Sequence, residues 1–283
     1  MKKIKFSFNS EVEKIIKKFS LNNDWNKNIN QDIDKYKSKK FNKKSFNRKD
    51  LKKLDFVTID GEDAKDFDDA VYCEKHESDW KLYVAIADVA HYVENNSNID
   101  KEARKRGTSV YFPGFVIPML PEILSNNLCS LRSGEDKFTV MAEIIIGKDG
   151  KIKSYKFYNA LISSSARLTY TQVDDFLNKK KSITDKNVIK NINNLFSLYK
   201  ILKKSREKRH AVNFDTQEFS FLISKNNEIT GIKNNIRLES QKLIEECMIA
   251  ANVASSLFIK KNKSNSLYRV HDEPTLEKIE DAS

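Results

Sequence analysis

The sequence predicts an α+β fold in which helices pack against a mixed, largely antiparallel sheet. Three observations lead to this prediction: short apolar or alternating segments typical of strands, two long segments with apolar residues at helical spacing, and 39% hydrophobic residues in a chain of 283. Such a chain can bury a substantial core in one large or two small domains. The strand-like segments are residues 56–59, 70–74, 81–89, 140–146 and 152–162, and the helix-like segments are residues 188–208 and 239–259.

The first 53 residues differ in composition from the rest and predict a basic N-terminal arm or linker with one short helix. The apolar residues that predict this helix are Val12, Ile15, Ile16 and Phe19. Residues 26–53 are polar and place lysine pairs around Phe41 and Phe46. This composition suits contact with a nucleic-acid backbone and also suits a solvated linker, so both interpretations stay open. Residues 54–283 then form the predicted folded domain.

The early part of this domain predicts a strand pair followed by a helix. Residues 70–74 and 81–89 run or alternate as apolar segments across a polar connection, which indicates antiparallel strands. Asp100 is a candidate N-cap for a helix over residues 101–106, and Gly107 ends that helix.

The later part of the domain predicts two hairpins. Strands over 140–146 and 152–162 flank the Lys-Asp-Gly-Lys sequence of residues 148–151, where Asp-Gly favours a type I′ turn. Residues 219–223 and 228–232 predict a second antiparallel pair.

Residues 60–70 concentrate charge, because they contain five aspartates and one glutamate directly after an apolar run. Asp60 ends a predicted strand, Asp66 and Asp68 lie two apart on one side of an extended segment, and Asp69 lies on the other side. Carboxylates this close raise one another's pKa unless a cation neutralises them, and oxygen ligands favour Mg²⁺, with Mn²⁺ as a second choice. Two such ions about 4 Å apart can assist hydrolysis of a phosphodiester.

Other interpretations of the acidic segment are weaker. No reading frame has the alternating aspartates, the sixth glycine and the twelfth glutamate of a calcium-binding loop. A phosphatase-type Asp-x-Asp-x-Thr motif would place its first aspartate behind a buried strand, whereas Asp66 follows polar residues. A solvated acidic turn stays open on the residues alone.

The charge balance indicates a polyanionic partner. The chain has 51 basic and 40 acidic residues, a net charge of +11, although lysine-rich codon usage would produce a similar excess. Its three cysteines and four histidines show no metal-ligand spacing, which disfavours zinc and structural disulfides and suits the cytoplasm. No apolar run predicts a membrane span or a signal peptide.

Eight segments of the sequence resemble the ribonuclease II/ribonuclease R family, which carries the RNB-type catalytic domain. Their residues are most similar to those of its bacterial ribonuclease R members. The resemblance covers roughly residues 50–283. In chain order the segments are DFVTIDGEDAKDFDDAVYCEK (55–75), VAIADVA (84–90), RGTSVYFPG (106–114), IPMLP (117–121), LSNNLCSL (124–131), SSARLTY (164–170), LIEECMI (243–249) and RVHD (269–272).

The resemblance implies an RNB-type exoribonuclease domain over residues 54–283. The implied activity is processive 3′ to 5′ hydrolysis of RNA to nucleoside 5′-monophosphates by metal-activated water. The implied substrate is single-stranded RNA or RNA with a 3′ overhang. The implied catalytic and metal-binding residues are Asp60, Asp66, Asp68 and Asp69.

Four further residues are implied to contact RNA. Tyr111 and Tyr170 would lie against the bound strand near its 3′ end, where stacking tolerates any base. Glu245 or Glu246 would contact the terminal ribose, where a carboxylate can accept from the 2′-hydroxyl; the sequence leaves open which of the two does so. From residues alone, Tyr111 would serve equally well as a core aromatic.

In the resembled family the catalytic domain continues past residue 272, through an arginine-containing motif and an RNA-binding domain. We therefore expect this chain to be an incomplete catalytic domain, with a separate C-terminal fragment as a candidate partner. The alternative function is a catalytically incomplete RNA-binding fragment of such an enzyme.

Overall fold

The computed structural model describes residues 8–38, 47–211, 218–224, 229–268 and 272–281. The helices are α1 (Phe8–Lys18), α2 (Lys27–Ser38), α3 (Asn98–Arg106), α4 (Tyr170–Leu177), α5 (Lys186–Lys208), α6 (Glu239–Lys261) and α7 (Leu276–Asp281). The strands are β1 (Lys49–Asp50), β2 (Val57–Asp60), β3 (Asp69–His76), β4 (Asp79–Ala87), β5 (Val110–Phe112), β6 (Phe115–Ile117), β7 (Asp136–Ile146), β8 (Ile152–Ser163), β9 (Ala166–Thr169), β10 (Glu218–Ile223) and β11 (Ile229–Asn235).

A seven-stranded sheet organises the described part of the chain, in the order β1-β8-β7-β4-β3-β2-β9. The pairs at its two edges, β1 with β8 and β2 with β9, are parallel, and the other neighbours are antiparallel. Two separate hairpins, β5–β6 and β10–β11, lie outside this sheet. The predicted α+β class with a largely antiparallel sheet is confirmed.

Apolar side chains fill a layer on each face of the sheet. On one face, Val71, Leu82 and Ile144 pack with residues of α5 and α6 such as Leu195 and Leu243. On the other face, the cluster reaches from the sheet to helices α2 and α3 and to the segment around residues 124–131. Because both faces are covered over the middle of the sheet, the strand ends are the positions open to a substrate.

Two helices deviate from the sequence-based expectations. Helix α2 lies where a linker was expected over residues 26–53, and its Ile29 and Ile33 are 2% and 7% exposed. Ile29, Ile33 and Tyr36 lie at helical spacing, but the other nine residues of this helix are polar, which gives the segment the composition of a linker. Ser97, not Asp100, caps α3, because its side chain accepts from the backbone N–H of Asp100.

The turn between β7 and β8 also differs from the expected type I′ turn. Gly150 has a φ of +78°, and Asp149 has no positive φ. A register shift between Ile145 and Ile146 lengthens the connection to five residues, so Ile146 pairs with Ile152. One positive-φ position then suffices, and glycine occupies it.

Parts of two sequence-based expectations lie outside the described residues. These are the basic and aromatic run around Phe41 and Phe46, and the RVHD segment as far as residue 271. The expected boundary between residues 53 and 54 stays a prediction. None of the helices in the described ranges has the length and apolar character needed to cross a membrane.

Candidate active site

The acidic segment lies at one edge of the central sheet. Asp60 is the last residue of β2, and Asp69 is the first residue of β3, so the loop of residues 61–68 connects two neighbouring strands. Strand β9 runs parallel to β2, with Asp60 opposite Thr169. Because parallel strands end at the same edge, the N-terminus of α4, which starts at Tyr170, lies beside Asp60.

Hydrogen bonds hold the second half of the acidic loop in place. The buried Ser130 hydroxyl donates to the carbonyl of Lys65 (2.9 Å) and accepts from the N–H of Phe67 (3.1 Å). The N–H of Leu131 donates to the carbonyl of Phe67, and the N–H of Ala87 to that of Asp68. These bonds fix the backbone on both sides of Asp66.

Arg167, in β9, holds the first half of the loop. Its guanidinium donates to the carbonyls of Gly61 (2.7 Å) and Glu62 (2.8 Å) and lies 5.4 Å from the centre of the Phe67 ring. The same charge acts to lower the pKa of Asp60. Arg167 therefore ties the acidic loop to strand β9, which directly precedes Tyr170.

The aspartates of the cluster raise one another's pKa values. Burial, with the charges of Asp60 and Asp68, raises the pKa of Asp69 to about 6. Partial desolvation and the charges of Asp66 and Asp60 raise the pKa of Asp68. Burial and the charge of Asp66 raise the pKa of Asp60, against the opposing effects of the Gly61 N–H and of Arg167. Asp66 thus acts on Asp60 and Asp68, and these two act on Asp69, which links the four predicted aspartates electrostatically.

The chemistry of this cluster fits a hard divalent cation. The donors are carboxylate oxygens, and no cation among the described side chains offsets the charge of Asp68 or Asp69. Within the described ranges, however, no three His, Cys, Asp or Glu side chains converge closely enough to coordinate one ion. The aspartates therefore lie near one another, and no described cation offsets the charge of Asp68 or Asp69. They do not surround a single point as a complete set of metal ligands would.

Tyr170 is part of this site. Burial, with the charges of Asp60 and Asp69, raises the pKa of Tyr170 to about 12, so its phenol stays protonated at neutral pH. Its backbone carbonyl accepts from the hydroxyl of Ser240 (2.8 Å), at the start of α6. Helix α6 also passes close to the cluster, because Asp69 acts on the buried thiol of Cys247.

Tyr111 lies on a different part of the molecule. It is the middle residue of β5 in the β5–β6 hairpin and is 71% exposed, so it is not a core aromatic. Phe112 and Phe115 stack beneath the turn with ring centres 4.9 Å apart. The structure presents Tyr111 to solvent on the β5–β6 hairpin.

Glu245 and Glu246 form a charged cluster with two arginines. Glu246 is buried and pairs with Arg206 at 2.9 Å. Glu245 pairs with Arg206 at 3.2 Å and also with Arg237. Arg237 lines a cleft beside the acidic loop, so Glu245 is the glutamate whose partner reaches that cleft.

This cleft has a volume of about 490 Å³ and lies between the acidic loop, the start of α4 and the segment joining β11 to α6. Its lining combines an aromatic ring, two cations and several amides. The lining residues include Tyr170, Lys233 and Arg237, together with the carboxylates of Glu62 and Glu218. The cleft thus offers one ring for stacking and two cations for phosphate contact, with two carboxylates at its wall.

Comparison with known proteins identifies the family. Residues 48–283 match the family described as the RNB domain. The chain belongs to the RNB domain family. Curated relatives are ribonuclease R of Escherichia coli (strain K12), 48% identical over 226 residues, and ribonuclease R of Buchnera aphidicola subsp. Schizaphis graminum, 43% identical over 260 residues. These alignments cover 79% and 90% of this chain and 28% and 36% of the relatives, so the chain spans about a third of their length.

Solved structures of RNB proteins match the fold over nearly the whole chain. Mycoplasma genitalium RNase R in complex with ribose methylated single-stranded RNA has a TM-score of 0.91 at 35% identity, covering 95% of this chain and 42% of that one. The same protein with double-stranded RNA has a TM-score of 0.90 at 34% identity, covering 96% and 48%. Yeast Ssd1, described as a pseudonuclease, shares the fold at 18% identity and a TM-score of 0.58, over 76% and 26% of the two chains. Since a pseudonuclease has this fold, activity must be argued from the site.

Sequence reasoning missed two residues that build the RNB site. Arg167 and Ser130 each lie in a segment that resembles the family, but neither has a local signal for its role. Both act through backbone carbonyls of the acidic loop, more than 60 positions away in sequence. Only the pairing of β2 with β9 and the position of the 124–131 segment reveal them.

Proposed function

We propose that this RNB domain provides the catalytic centre of a metal-dependent 3′ to 5′ exoribonuclease that releases nucleoside 5′-monophosphates from RNA. The observation that carries the proposal is the cluster of aspartates with unneutralised charge at the edge of β2 and β3. A merely solvated acidic turn would not desolvate Asp69 enough to raise its pKa to about 6, nor would it be tied down by Arg167 and Ser130. Partly desolvated like charges cost free energy, which a functional role explains.

Asp60, Asp66, Asp68 and Asp69 would hold the divalent cations, with Mg²⁺ or Mn²⁺ as the expected species. When bound, such ions activate water and stabilise charge on the phosphate oxygens. The protein's own contribution is to keep the carboxylates in place before substrate arrives. The hydrogen bonds on both sides of Asp66 and the Arg167 contacts to Gly61 and Glu62 serve this purpose.

Tyr170 would pack its ring against the RNA beside the aspartates. It follows Thr169, whose side chain caps α4 by accepting from the N–H of Gln172, so the start of the helix is fixed. Stacking on an aromatic ring is worth about 1–3 kcal/mol per base and is tolerant of sequence, as a degradative enzyme requires. Tyr111, exposed on its hairpin, would supply a second aromatic contact along the strand.

Glu245 is the candidate for contact with the terminal ribose. Its carboxylate could accept from a 2′-hydroxyl, which DNA lacks. Both glutamates pair with Arg206, but Glu246 is less suited because it is 6% exposed, whereas the Glu245 side chain is 30% exposed. The preference for Glu245 rests on Arg237, which pairs with it and also lines the cleft.

The expected substrate is single-stranded RNA or RNA with a 3′ overhang, in the cytoplasm. Support comes from the net charge of +11 and from the single-stranded and double-stranded RNA complexes named for M. genitalium RNase R. A 490 Å³ cleft beside the aspartates suits an unpaired strand better than a duplex, whose bases are stacked on each other.

Product analysis on a 5′-labelled RNA would test the proposal. With Mg²⁺ we expect the labelled strand to shorten one nucleotide at a time from its 3′ end, while uniformly labelled RNA yields 5′-monophosphates. A DNA strand of the same sequence should persist, and EDTA should stop the reaction. Internal cuts, or 3′-monophosphate products, would contradict the proposed reaction.

A further inference from the structure

The β5–β6 hairpin that carries Tyr111 forms its own two-stranded sheet outside the central sheet. Ile117, at its end, is buried. Near its tip, Ile223 of β10 lies 3.7 Å from the position that a Cβ on Gly114 would take. Because Tyr111 is 71% exposed, its position depends on how the two ends of the hairpin are anchored.

Both ends of the hairpin meet at Arg106, the last residue of α3. Its guanidinium donates to the carbonyl of Pro118 (2.9 Å), just after β6, and to the carboxylate of Glu102 (3.0 Å) on the same helix. Next to it, the Ser109 hydroxyl accepts from the N–H of Met119 (2.9 Å). Arg106 is 7% exposed at its side chain, so these contacts are shielded from water.

The N-terminal segment completes the environment of this arginine. The Arg106 guanidinium lies over the Trp25 ring, 3.7 Å from its centre, and donates to the carbonyl of Asp24 (2.9 Å). A shielded arginine with four such partners has one well-defined position, because its planar donors are fixed relative to one another. The segment before α2 therefore restrains the base of a hairpin that lies about 80 residues later in the chain.

Helix α2 docks the same segment onto α3 by a second, independent contact. Asp32 is 6% exposed and accepts from the N–H groups of Asn98 (2.9 Å) and Ile99 (3.4 Å), at the first turn of α3. Burial acts to raise the pKa of Asp32, but hydrogen bonds from Lys35 and from these two N–H groups lower it overall. The positive end of the helix dipole at the N-terminus of α3 also favours the negative charge of this carboxylate. Trp25 and Asp32 thus fasten opposite ends of α3.

We propose that the N-terminal segment of residues 24–35 is a positioning element for Tyr111, acting through the contact of Trp25 with Arg106 at the base of the β5–β6 hairpin. The residues expected to form a basic linker would then take part in substrate binding through protein contacts, without touching RNA themselves. Trp25 and Arg106 are positioning residues. This inference rests on the proposed role of Tyr111 in RNA binding.

Amide hydrogen exchange tests the mechanical step without RNA. In Trp25→Ala of the complete protein we expect exchange in residues 108–117 to increase roughly tenfold, as loss of a shielded cation–π contact implies, with β4 and β7 unchanged. Trp25→Phe keeps a ring under the guanidinium and should restore most of the protection. Phe19→Ala is the matched control, because Phe19, just after α1, has a similar cation–π contact with Lys18 but is 63% exposed. Unchanged exchange over 108–117 in Trp25→Ala would overturn the inference.

A double-mutant cycle tests the link to RNA. Trp25→Ala should weaken single-stranded RNA binding about three- to tenfold in the protein with Tyr111, but less than twofold in a Tyr111→Ala background. Equal effects in both backgrounds would overturn the positioning role. If Tyr111→Ala alone left RNA affinity unchanged while exchange responded as expected, the proposed RNA contact of Tyr111 would be wrong and the restraint of the hairpin would stand. Mn²⁺ affinity, measured alongside, should not change in any of these variants.

Discussion

The acidic loop and the β5–β6 hairpin serve one proposed reaction but are held in opposite ways. The loop is tied along its length by bonds to Gly61, Glu62, Lys65, Phe67 and Asp68, which involve three different parts of the chain. The hairpin is tied at its base and leaves Tyr111 71% exposed. Groups that must act on a phosphate need fixed positions, whereas a ring that accepts any base needs access.

The charge distribution follows the same division. At the acidic loop, burial and neighbouring aspartates raise pKa values, so the metal-free loop has an electrostatic cost. At the base of the hairpin, the Arg106 guanidinium instead has a carboxylate, two carbonyl oxygens and an aromatic ring as partners. Under the proposed function, the loop would hold the cation and the hairpin would contact the strand on which this cation acts.

Neutralising one aspartate should separate the two regions most clearly. In Asp69→Asn we expect the rate of RNA cleavage in Mg²⁺ to fall by at least about 10²–10³-fold, since a charged ligand beside the phosphate is lost. RNA affinity should change less than about threefold, because the rings of Tyr170 and Tyr111 are retained. Single-turnover cleavage and equilibrium binding measure the two effects.

Asp63→Asn is the control for this change. Asp63 lies in the same loop and is exposed, and it does not raise the pKa of Asp60, Asp68 or Asp69. Its cleavage rate should stay near that of the parent protein. Full turnover by Asp69→Asn would show that this residue does not belong to the catalytic set.

Loosening the loop without changing its charge should produce a smaller loss. In Arg167→Lys the cation beside Asp60 remains, but a lysine cannot reproduce the guanidinium contacts to Gly61, Glu62 and the Phe67 ring. We expect a drop of about 10–100-fold in rate and a higher Mg²⁺ requirement, because small displacements of catalytic groups are costly. A magnesium titration of the cleavage rate measures both.

Arg104→Ala provides the comparison for Arg167→Lys. Arg104 pairs with Asp100 on the surface of α3, with its side chain 69% exposed, and has no contact with the loop. An equal loss in both variants would point to general destabilisation and would remove Arg167 from the site.

The aromatic contact nearest the aspartates should affect binding more than metal affinity. Tyr170→Ala should weaken single-stranded RNA binding about 5–100-fold, the equivalent of roughly 1–3 kcal/mol of lost stacking, or should change the length of the final product. Tyr170→Phe retains the ring and should bind nearly normally. Titration calorimetry with Mn²⁺ and gel analysis of end products would separate the effects; a matching loss of metal affinity in Tyr170→Ala would make the ring structural.

Whether a feature of the fold or of the site could be predicted from the sequence depends on how far apart along the chain the interacting residues are. The strand pair β3–β4 and the cluster from Asp60 to Asp69 follow from local alternation and spacing, and both were predicted. That Tyr170 lies beside Asp60 depends on parallel pairing of β2 with β9, about 110 residues apart, which no local pattern specifies. The resemblance to a family suggested that proximity, and the strand register supplies its physical reason.

Residues that act through backbone atoms were the ones the sequence could not reveal. Arg167, Ser130 and Arg106 contact carbonyl or N–H groups of distant segments, and a backbone group gives no sign in the sequence that it will be used. Helix α2 was missed for a related reason, since Asp32 and Trp25 fasten it through contacts with α3 that its own composition does not indicate.

The smallest expected effect concerns the stability of the metal-free protein. Because the pKa of Asp69 is raised from its ordinary value to about 6, the folded state binds this proton more tightly than the unfolded state. Stability from this group is therefore present at low pH and is lost as the pH rises from about 4 to about 6. The asparagine in Asp69→Asn does not titrate, so this variant does not lose that stability as the pH rises. In EDTA its free energy of unfolding should equal that of the parent near pH 4 and exceed it above pH 6, by on the order of 1 kcal/mol. Urea denaturation at pH 4 and pH 7, with Asp63→Asn as control, measures the difference.

Saturating Mg²⁺ should make the parent more stable than Asp69→Asn, because the parent then gains binding energy that the variant lacks. A variant less stable than the parent at pH 7 in EDTA would mean that the loop is not under the electrostatic strain that distinguishes it from the hairpin.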